Sequence, residues 1–148
     1  DFYEKLYETE EIDMAAMNKI TNNLPQVGEE WNRTLVRPIG KEEILQTIQE
    51  LPGNKSPGTD GLTYEFYKTL AENLAPILEV VFNNVIKESR MPSSWHKNIL
   101  ILIPKREENL EDVGNWRPIS LVNSDAKIFM KILAGRFGSG YYHHYEGQ

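Results

Sequence analysis

Residues 53–62, GNKSPGTDGL, combine three glycines with a lysine, a serine and an aspartate, a set of residue types able to contact phosphate. Glycine lets a ligand approach the backbone closely, and Lys55 offers a cation for a phosphate. A nucleotide-binding P-loop is excluded, because its lysine follows the second glycine of the motif, whereas Lys55 precedes Gly58. Two interpretations stay open: a connector rich in turn-forming residues, or a loop that lies against a larger ligand.

A second candidate is a pair of cations in two short runs, IPKR at 103–106 and NWRPIS at 115–120. Each run carries a proline at a position that suits a strand edge, so we predict an antiparallel hairpin with Lys105 and Arg117 on facing strands. Two cations on a rigid ribbon suit a triphosphate, because arginine binds phosphate bidentately and lysine acts as a point charge. The alternative is a solvated hairpin whose cations hold no ligand.

Other chemically capable side chains form no recognisable site. The histidines and tyrosines of residues 137–148 are interpreted as part of a flexible aromatic tail. Trp95 and Trp116 are predicted to anchor the base of the hairpin. The chain has no cysteine, which excludes disulfides and thiolate metal sites. With no Ser-His-Asp spacing and no His-x-x-x-His pair, the chain is predicted to hold no metal and no cofactor.

Net charge is distributed unevenly along the 148 residues. The first 50 residues hold 11 acidic and 5 basic residues, whereas the remainder holds 11 of each, so the formal charge of −6 comes entirely from the first part. A surface that binds a polyanion is therefore expected in the second part. No apolar run approaches the ~20 residues of a membrane span, and no secretory signal is recognisable, so we expect an intracellular protein, nuclear or cytoplasmic.

The elements that position these residues are predicted to be mostly helical. Residues 41–51 place isoleucine and leucine at helical spacing, and helical stretches are also expected before residue 36 and over 63–90. NILILIPK at 98–105 is predicted to be a buried strand, since it is rich in isoleucine and leucine. A helix over 123–136 is expected to be capped by Asn123 or Ser124 and broken by FGSG at 137–140.

The order of three segments carries a resemblance that no single motif does. NKSPGTDGLTYEFYK, MPSSWHKNILILIPK and NWRPISLVNSDAKIFMKILAGR together resemble the fingers region of reverse transcriptases from LINE-type (non-LTR) retrotransposons. The resemblance covers residues 37–136, and residues 1–36 are similar to an acidic helical extension that precedes the polymerase. It implies an α+β fold: about five helices around one long antiparallel β-hairpin, with the palm absent.

The resemblance also implies roles for individual residues. Lys105 and Arg117 would hold the triphosphate of the incoming nucleotide. The loop against the template strand would comprise Lys55, Ser56, Pro57, Gly58, Asp60 and Gly61. Further candidate nucleic-acid contacts are Arg106, Ser124 and Lys127.

Polymerases of this kind use two metal ions held by palm aspartates, and the resemblance does not extend to those aspartates. None of the five aspartates lies in an F-x-x-D-type strand or an x-x-D-D turn. We therefore expect a truncated fingers portion that is inactive alone, with Mg²⁺ required only by a complete polymerase. The expected partners are an RNA template or RNA/DNA duplex, a dNTP and the palm of the parent polymerase, with no membrane. The alternatives are a non-catalytic domain co-opted to bind nucleic acid or protein, and a relic reading frame.

Overall fold

The computed structural model describes residues 2–9, 11–22, 24, 29–106 and 108–145, with side chains described as far as residue 138. Its elements are α1 Phe2–Leu6, α2 Met14–Thr21, α3 Glu29–Val36, α4 Lys41–Gln49, α5 Tyr64–Thr69, α6 Ala71–Glu88, β1 Ile99–Pro104, β2 Trp116–Leu121 and α7 Ser124–Tyr145. Two short 3₁₀ helices, Ser93–His96 and Val113–Asn115, precede the two strands. The α+β class predicted from the sequence is confirmed.

The hydrophobic core lies where α4, α6 and α7 pack together. Ile44 and Ile48 are four residues apart on α4, so helical geometry places both on the face that meets the other two helices. The Phe129 ring of α7 lies 5.3 Å from both Phe82 and Trp95, measured between ring centroids. Burying side chains of this size stabilises the fold by about 1.5–3 kcal/mol each.

Strands β1 and β2 form an antiparallel two-stranded sheet, as predicted, in which Ile99 is opposite Leu121 and Ile103 is opposite Arg117. The prediction that β1 is buried was wrong: its six residues are all exposed, with Leu100 57% exposed. An apolar run is typical of a strand whose faces pack against other residues. The composition of the run does not tell which residues those are. In the described part of the chain, no third strand pairs with this hairpin.

Helix α7 is longer than the sequence predicts. The expected break at 137–140 is absent, and the helix continues to Tyr145. A helical glycine costs only about 1 kcal/mol relative to alanine, and extending an existing helix is far easier than starting one. The assignment of residues 137–148 to a separate tail, like the other two segment boundaries, stays a prediction.

The N-terminal arm, defined as α1 and α2, lies outside the hydrophobic core. Neither helix buries a side chain. The apolar side chains of this region are exposed: Phe2, Leu6, Met14, Met17 and Leu24. Among the described helices, none combines the length and apolarity of a membrane-crossing segment.

We expect removal of residues 1–28 to change the free energy of unfolding by less than about 1 kcal/mol, since neither α1 nor α2 contains a buried residue. Urea denaturation of the shortened and the full chain measures the difference. Removal of residues 1–40 is the control, because it also deletes Ile39, which is fully buried. Equal stability of the two shortened chains would contradict this assignment of the core boundary.

Candidate nucleic-acid-binding site

The 53–62 loop is fixed at both of its ends. The Asn54 amide donates to Glu65 Oε1 at 2.8 Å, and this bond is the main reason that the pKa of Glu65 is lowered. At the other end, the Gly61 amide donates to the carbonyl of Gly58 at 3.3 Å, closing a tight turn. Gly61 adopts φ +72°, a left-handed conformation that glycine tolerates and other residues disfavour. The loop is therefore a defined structure rather than a slack connector.

The middle of the loop lies against the residue that precedes α7. Gly58 is buried, and a methyl group added at its Cα would lie 2.7 Å from Asn123 Cα and closer still to the amide nitrogen and Oδ1 of that residue. The second glycine of the motif is thus required by packing against the protein itself. The atoms that approach Gly58 closely belong to Asn123 and not to a ligand.

Two further α7 residues, both predicted as nucleic-acid contacts, support the 53–62 loop. Ser124 Oγ donates to the carbonyl of Leu62 at 2.6 Å, and Lys127 Nζ donates to the carbonyl of Ser56 at 3.2 Å. The same ammonium lies 5.6 Å from the centre of the Tyr64 ring, within reach of a cation–π interaction. Burial raises the pKa of the Tyr64 hydroxyl. In this structure, Ser124 and Lys127 therefore stabilise the loop through hydrogen bonds.

The hairpin presents its cations at the end away from α7. Arg117 is exposed and opposite Ile103, and Lys105 directly follows β1, so both cations lie at the same end of the hairpin. Lys105 Nζ donates to the carbonyl of Gly114 at 2.7 Å, which occupies one of its three N–H groups. Arg106, the third predicted cation of this region, is also exposed.

The two tryptophans predicted to anchor the hairpin, Trp95 and Trp116, lie at its opposite ends. Trp95 is buried near the start of β1, and its Nε1 donates to Asp125 Oδ2 at 2.8 Å, as expected for an anchor at the base. Trp116 is opposite Pro104 at the other end, where its Nε1 donates to the carbonyl of Leu110 at 3.0 Å. The prediction that Trp116 anchors the base was wrong; it holds the connecting loop instead.

The structure brings the predicted residues together in two groups. The 53–62 loop, Ser124 and Lys127 form one group around the N-terminal end of α7. Lys105, Arg106 and Arg117 form the other, near the hairpin tip. Arg117 is four residues before Leu121, the last residue of β2 and the one nearer to α7. At about 3.3 Å per strand residue, Arg117 therefore lies roughly 13 Å along β2 from that end of the sheet.

The aspartates in the described part of the chain accept hydrogen bonds from other groups of the protein. Each of the four accepts hydrogen bonds from neighbouring backbone or from an indole, and they sit in four separate elements: Asp13, Asp60, Asp112 and Asp125. No group of three or more histidine or acidic residues that could hold a metal ion occurs within the described ranges. This donor set does not fit a two-metal centre, and we derive no chemical step from it.

Sequence reasoning missed a buried arginine that ties the fold together. Arg136 is 4% exposed; its Nε and one terminal nitrogen donate to both carboxylate oxygens of Glu43, at 2.9 and 2.7 Å. Its terminal nitrogens also donate to the carbonyls of Leu35, Arg37 and Pro38. We call this group the Arg136 clamp. Its partners are 93–101 positions away in the sequence, so no local pattern could have indicated it.

Comparison with known proteins adds a second line of evidence. No protein-family model matches the chain. A Xenopus laevis protein, the transposon TX1 uncharacterized 149 kDa protein, is 36% identical over 138 residues, which are 93% of this chain and 10% of that protein. The probable RNA-directed DNA polymerase from transposon BS of Drosophila melanogaster is 31% identical over 68% of this chain and 11% of its own length.

The RNA-directed DNA polymerase from mobile element jockey, also of Drosophila melanogaster, is 32% identical over 64% of this chain and 10% of its own length. The chain therefore spans about a tenth of the length of these relatives. The predicted resemblance is confirmed at the level of the family, since the curated homologues of this chain are RNA-directed DNA polymerases of non-LTR retrotransposons.

Proposed function

We propose that this chain is the fingers portion of a non-LTR retrotransposon reverse transcriptase and that it holds single-stranded RNA template and the incoming nucleotide. The observation that carries the proposal is the docked 53–62 loop beside a projecting hairpin with basic side chains. A rigid loop and a rigid ribbon on one core provide two fixed walls, and a flexible chain of phosphates can pass between them.

The charge of the exposed side chains supports the same proposal. Lys55, Arg106 and Arg117 are exposed, and no hydrogen bond or ion pair engages their side chains within the described structure. Lys105 keeps two N–H groups for a phosphate. A cation that is not already paired gains most from a phosphate, because it gives up no existing partner. Lys105 and Arg117 are the proposed triphosphate contacts, and Lys55 is the proposed template contact. When no nucleotide is bound, we propose that Lys55, Lys105, Arg106 and Arg117 all contribute to RNA binding.

We propose further that the chain does not polymerise alone. Nucleotidyl transfer in these enzymes needs two metal ions, which activate the attacking and leaving oxygens. The described aspartates do not fit such a centre, and each already accepts hydrogen bonds within the protein. The chain's part is to position template and nucleotide, and the metal ions would be held by a palm.

We expect the protein to bind a fluorescein-labelled oligouridylate and Arg117→Ala to weaken that binding at low salt. Each lost phosphate contact lowers the slope of log K against log salt by about 0.7 for single-stranded nucleic acid. Fluorescence anisotropy across a salt series gives both quantities. Arg33→Ala is the matched control, since Arg33 is an exposed arginine whose only described ion pair is with Glu29.

Absence of binding by the unchanged protein at low salt would refute the proposed function. So would an equal loss of binding in Arg117→Ala and Arg33→Ala, because the interaction would then depend on net charge alone. The alternative of a protein-interaction domain is favoured by the exposed apolar residues of the N-terminal arm. Its sign is partner binding that survives Arg117→Ala and is lost with residues 1–28.

A further inference from the structure

Asn123 occupies the junction between the hairpin and α7. It follows β2, which ends at Leu121, and directly precedes Ser124, the first residue of the helix. The residue is 2% exposed, so its carboxamide is cut off from water and needs partners within the protein. It is also the residue against which the buried glycine of the 53–62 loop packs.

Asn123 joins three parts of the molecule, two through its carboxamide and one through its backbone. Its Oδ1 accepts from Thr59 Oγ1 at 3.2 Å and from the Asp60 amide at 3.4 Å, both in the 53–62 loop. Its Nδ2 donates to the carbonyl of Ser94 at 3.4 Å, in the 3₁₀ helix that leads into β1. One side chain therefore contacts the loop and the start of the hairpin, while its backbone continues from the end of the hairpin.

Lys55 depends on this junction for its position. Its own side chain makes no hydrogen bond or ion pair within the described structure, and it stands between two anchors of the loop. One anchor is the bond from Asn54 to Glu65, and the other is the contact of Gly58 with Asn123. Without the second anchor, the stretch after Lys55 would be held to α7 only by the bonds of Lys127 to Ser56 and of Ser124 to Leu62.

We propose that Asn123 is a positioning residue that holds the 53–62 loop in fixed relation to the hairpin, so that Lys55 and Arg117 contact the same RNA strand. This inference rests on the proposed function, since it assigns both cations to one ligand. It adds that the loop and the hairpin form a single template-holding unit joined by one carboxamide.

The test is a comparison of single and double variants with the oligouridylate probe. In the otherwise unchanged protein, Lys55→Ala and Arg117→Ala should each lower the salt slope by about 0.7. In an Asn123→Ala background, Lys55→Ala should have a clearly smaller effect, whereas Arg117→Ala should keep its full effect. General destabilisation would not produce this selective loss. An equal effect of Lys55→Ala in both backgrounds would overturn the proposal.

A milder variant covers the case in which Asn123→Ala does not fold. Thr59→Val removes one of the two hydrogen bonds to Oδ1 at an exposed position and leaves Asn123 in place. It should reduce the Lys55 contribution to the salt slope by about half and leave that of Arg117 unchanged. Reduction of both contributions by the same factor, or of neither, counts against the proposal.

Amide hydrogen exchange separates this inference from the proposed function. Exchange at residues 59–62 should accelerate more than tenfold in Asn123→Ala, or in Thr59→Val if that is the folded variant, while exchange in α4 changes no more than global stability requires. If the unchanged protein binds no RNA, the proposed function fails, and the claim of a joint template-holding unit fails with it. The anchoring of the loop by Asn123 is then decided by exchange: uniform acceleration across the loop and α4 refutes it.

Discussion

Gly58→Ala lowers the free energy of unfolding by about 2–3 kcal/mol, or displaces the 53–62 loop from α7 at similar cost. The added methyl group has no space, because it would overlap the backbone of Asn123, which is fixed at the start of a long helix. Inserting a methyl group into a filled site typically costs 1–3 kcal/mol, and backbone yields less readily than the end of a side chain. Urea denaturation gives the change in free energy, and proteolysis of the loop reports displacement.

Gly53→Ala is the matched control for this prediction. A methyl group there would lie 3.5 Å from Glu65 Oε1, an ordinary contact. We expect it to change stability by no more than about 0.5 kcal/mol, as a surface substitution does. The account of the loop would be wrong if Gly58→Ala were as stable and as protease-resistant as Gly53→Ala.

Arg136→Ala should cost about 3–5 kcal/mol, the range measured when one partner of a buried ion pair is removed. The change leaves the Glu43 carboxylate without its bidentate partner and deprives the carbonyls of Leu35, Arg37 and Pro38 of their donor. Thermal and urea denaturation both measure the loss. Arg33→Ala removes an exposed pair and should change stability by about 0.5 kcal/mol at most.

The pH dependence of stability checks the same clamp. The hydrogen bonds from Arg136 hold the pKa of Glu43 below its ordinary value. A carboxyl group whose pKa is depressed by folding stabilises the protein above its unfolded pKa, and that contribution disappears as the pH falls through the folded pKa. Acid should therefore destabilise the unchanged protein more than Glu43→Gln, and identical acid profiles would rule out this role for Glu43.

Regular periodicity made the helical core predictable. Ile44 and Ile48 follow the spacing of one helix face, and both are fully buried. The hairpin was predictable because two extended runs frame a polar loop, and the pairing of Ile103 with Arg117 confirms it. In both cases the signal is local, so neighbouring residues carry it.

The remaining features depend on parts of the chain that are distant in sequence. The Asn123 junction joins residues 29–64 positions apart, and the capping role expected for this residue gave no hint of its contacts with the 53–62 loop. The exposure of Leu100 was missed for a related reason, since a strand's composition does not reveal what covers it. For the candidate site, the sequence indicated the residue types. It did not indicate which cations already bind other parts of the protein, as Lys127 binds the Ser56 carbonyl.

The Arg136 clamp has a consequence for the order in which the chain acquires its structure during synthesis. Its acceptor carbonyls, from Leu35 to Pro38, leave the ribosome about 100 residues before the arginine that binds them. At about 5–20 residues per second, they wait roughly 5–20 s for their donor. Closing so long a loop is entropically unfavourable until the core contacts form with it. The N-terminal boundary of this unit is therefore among the last parts to become fixed, although it is translated first.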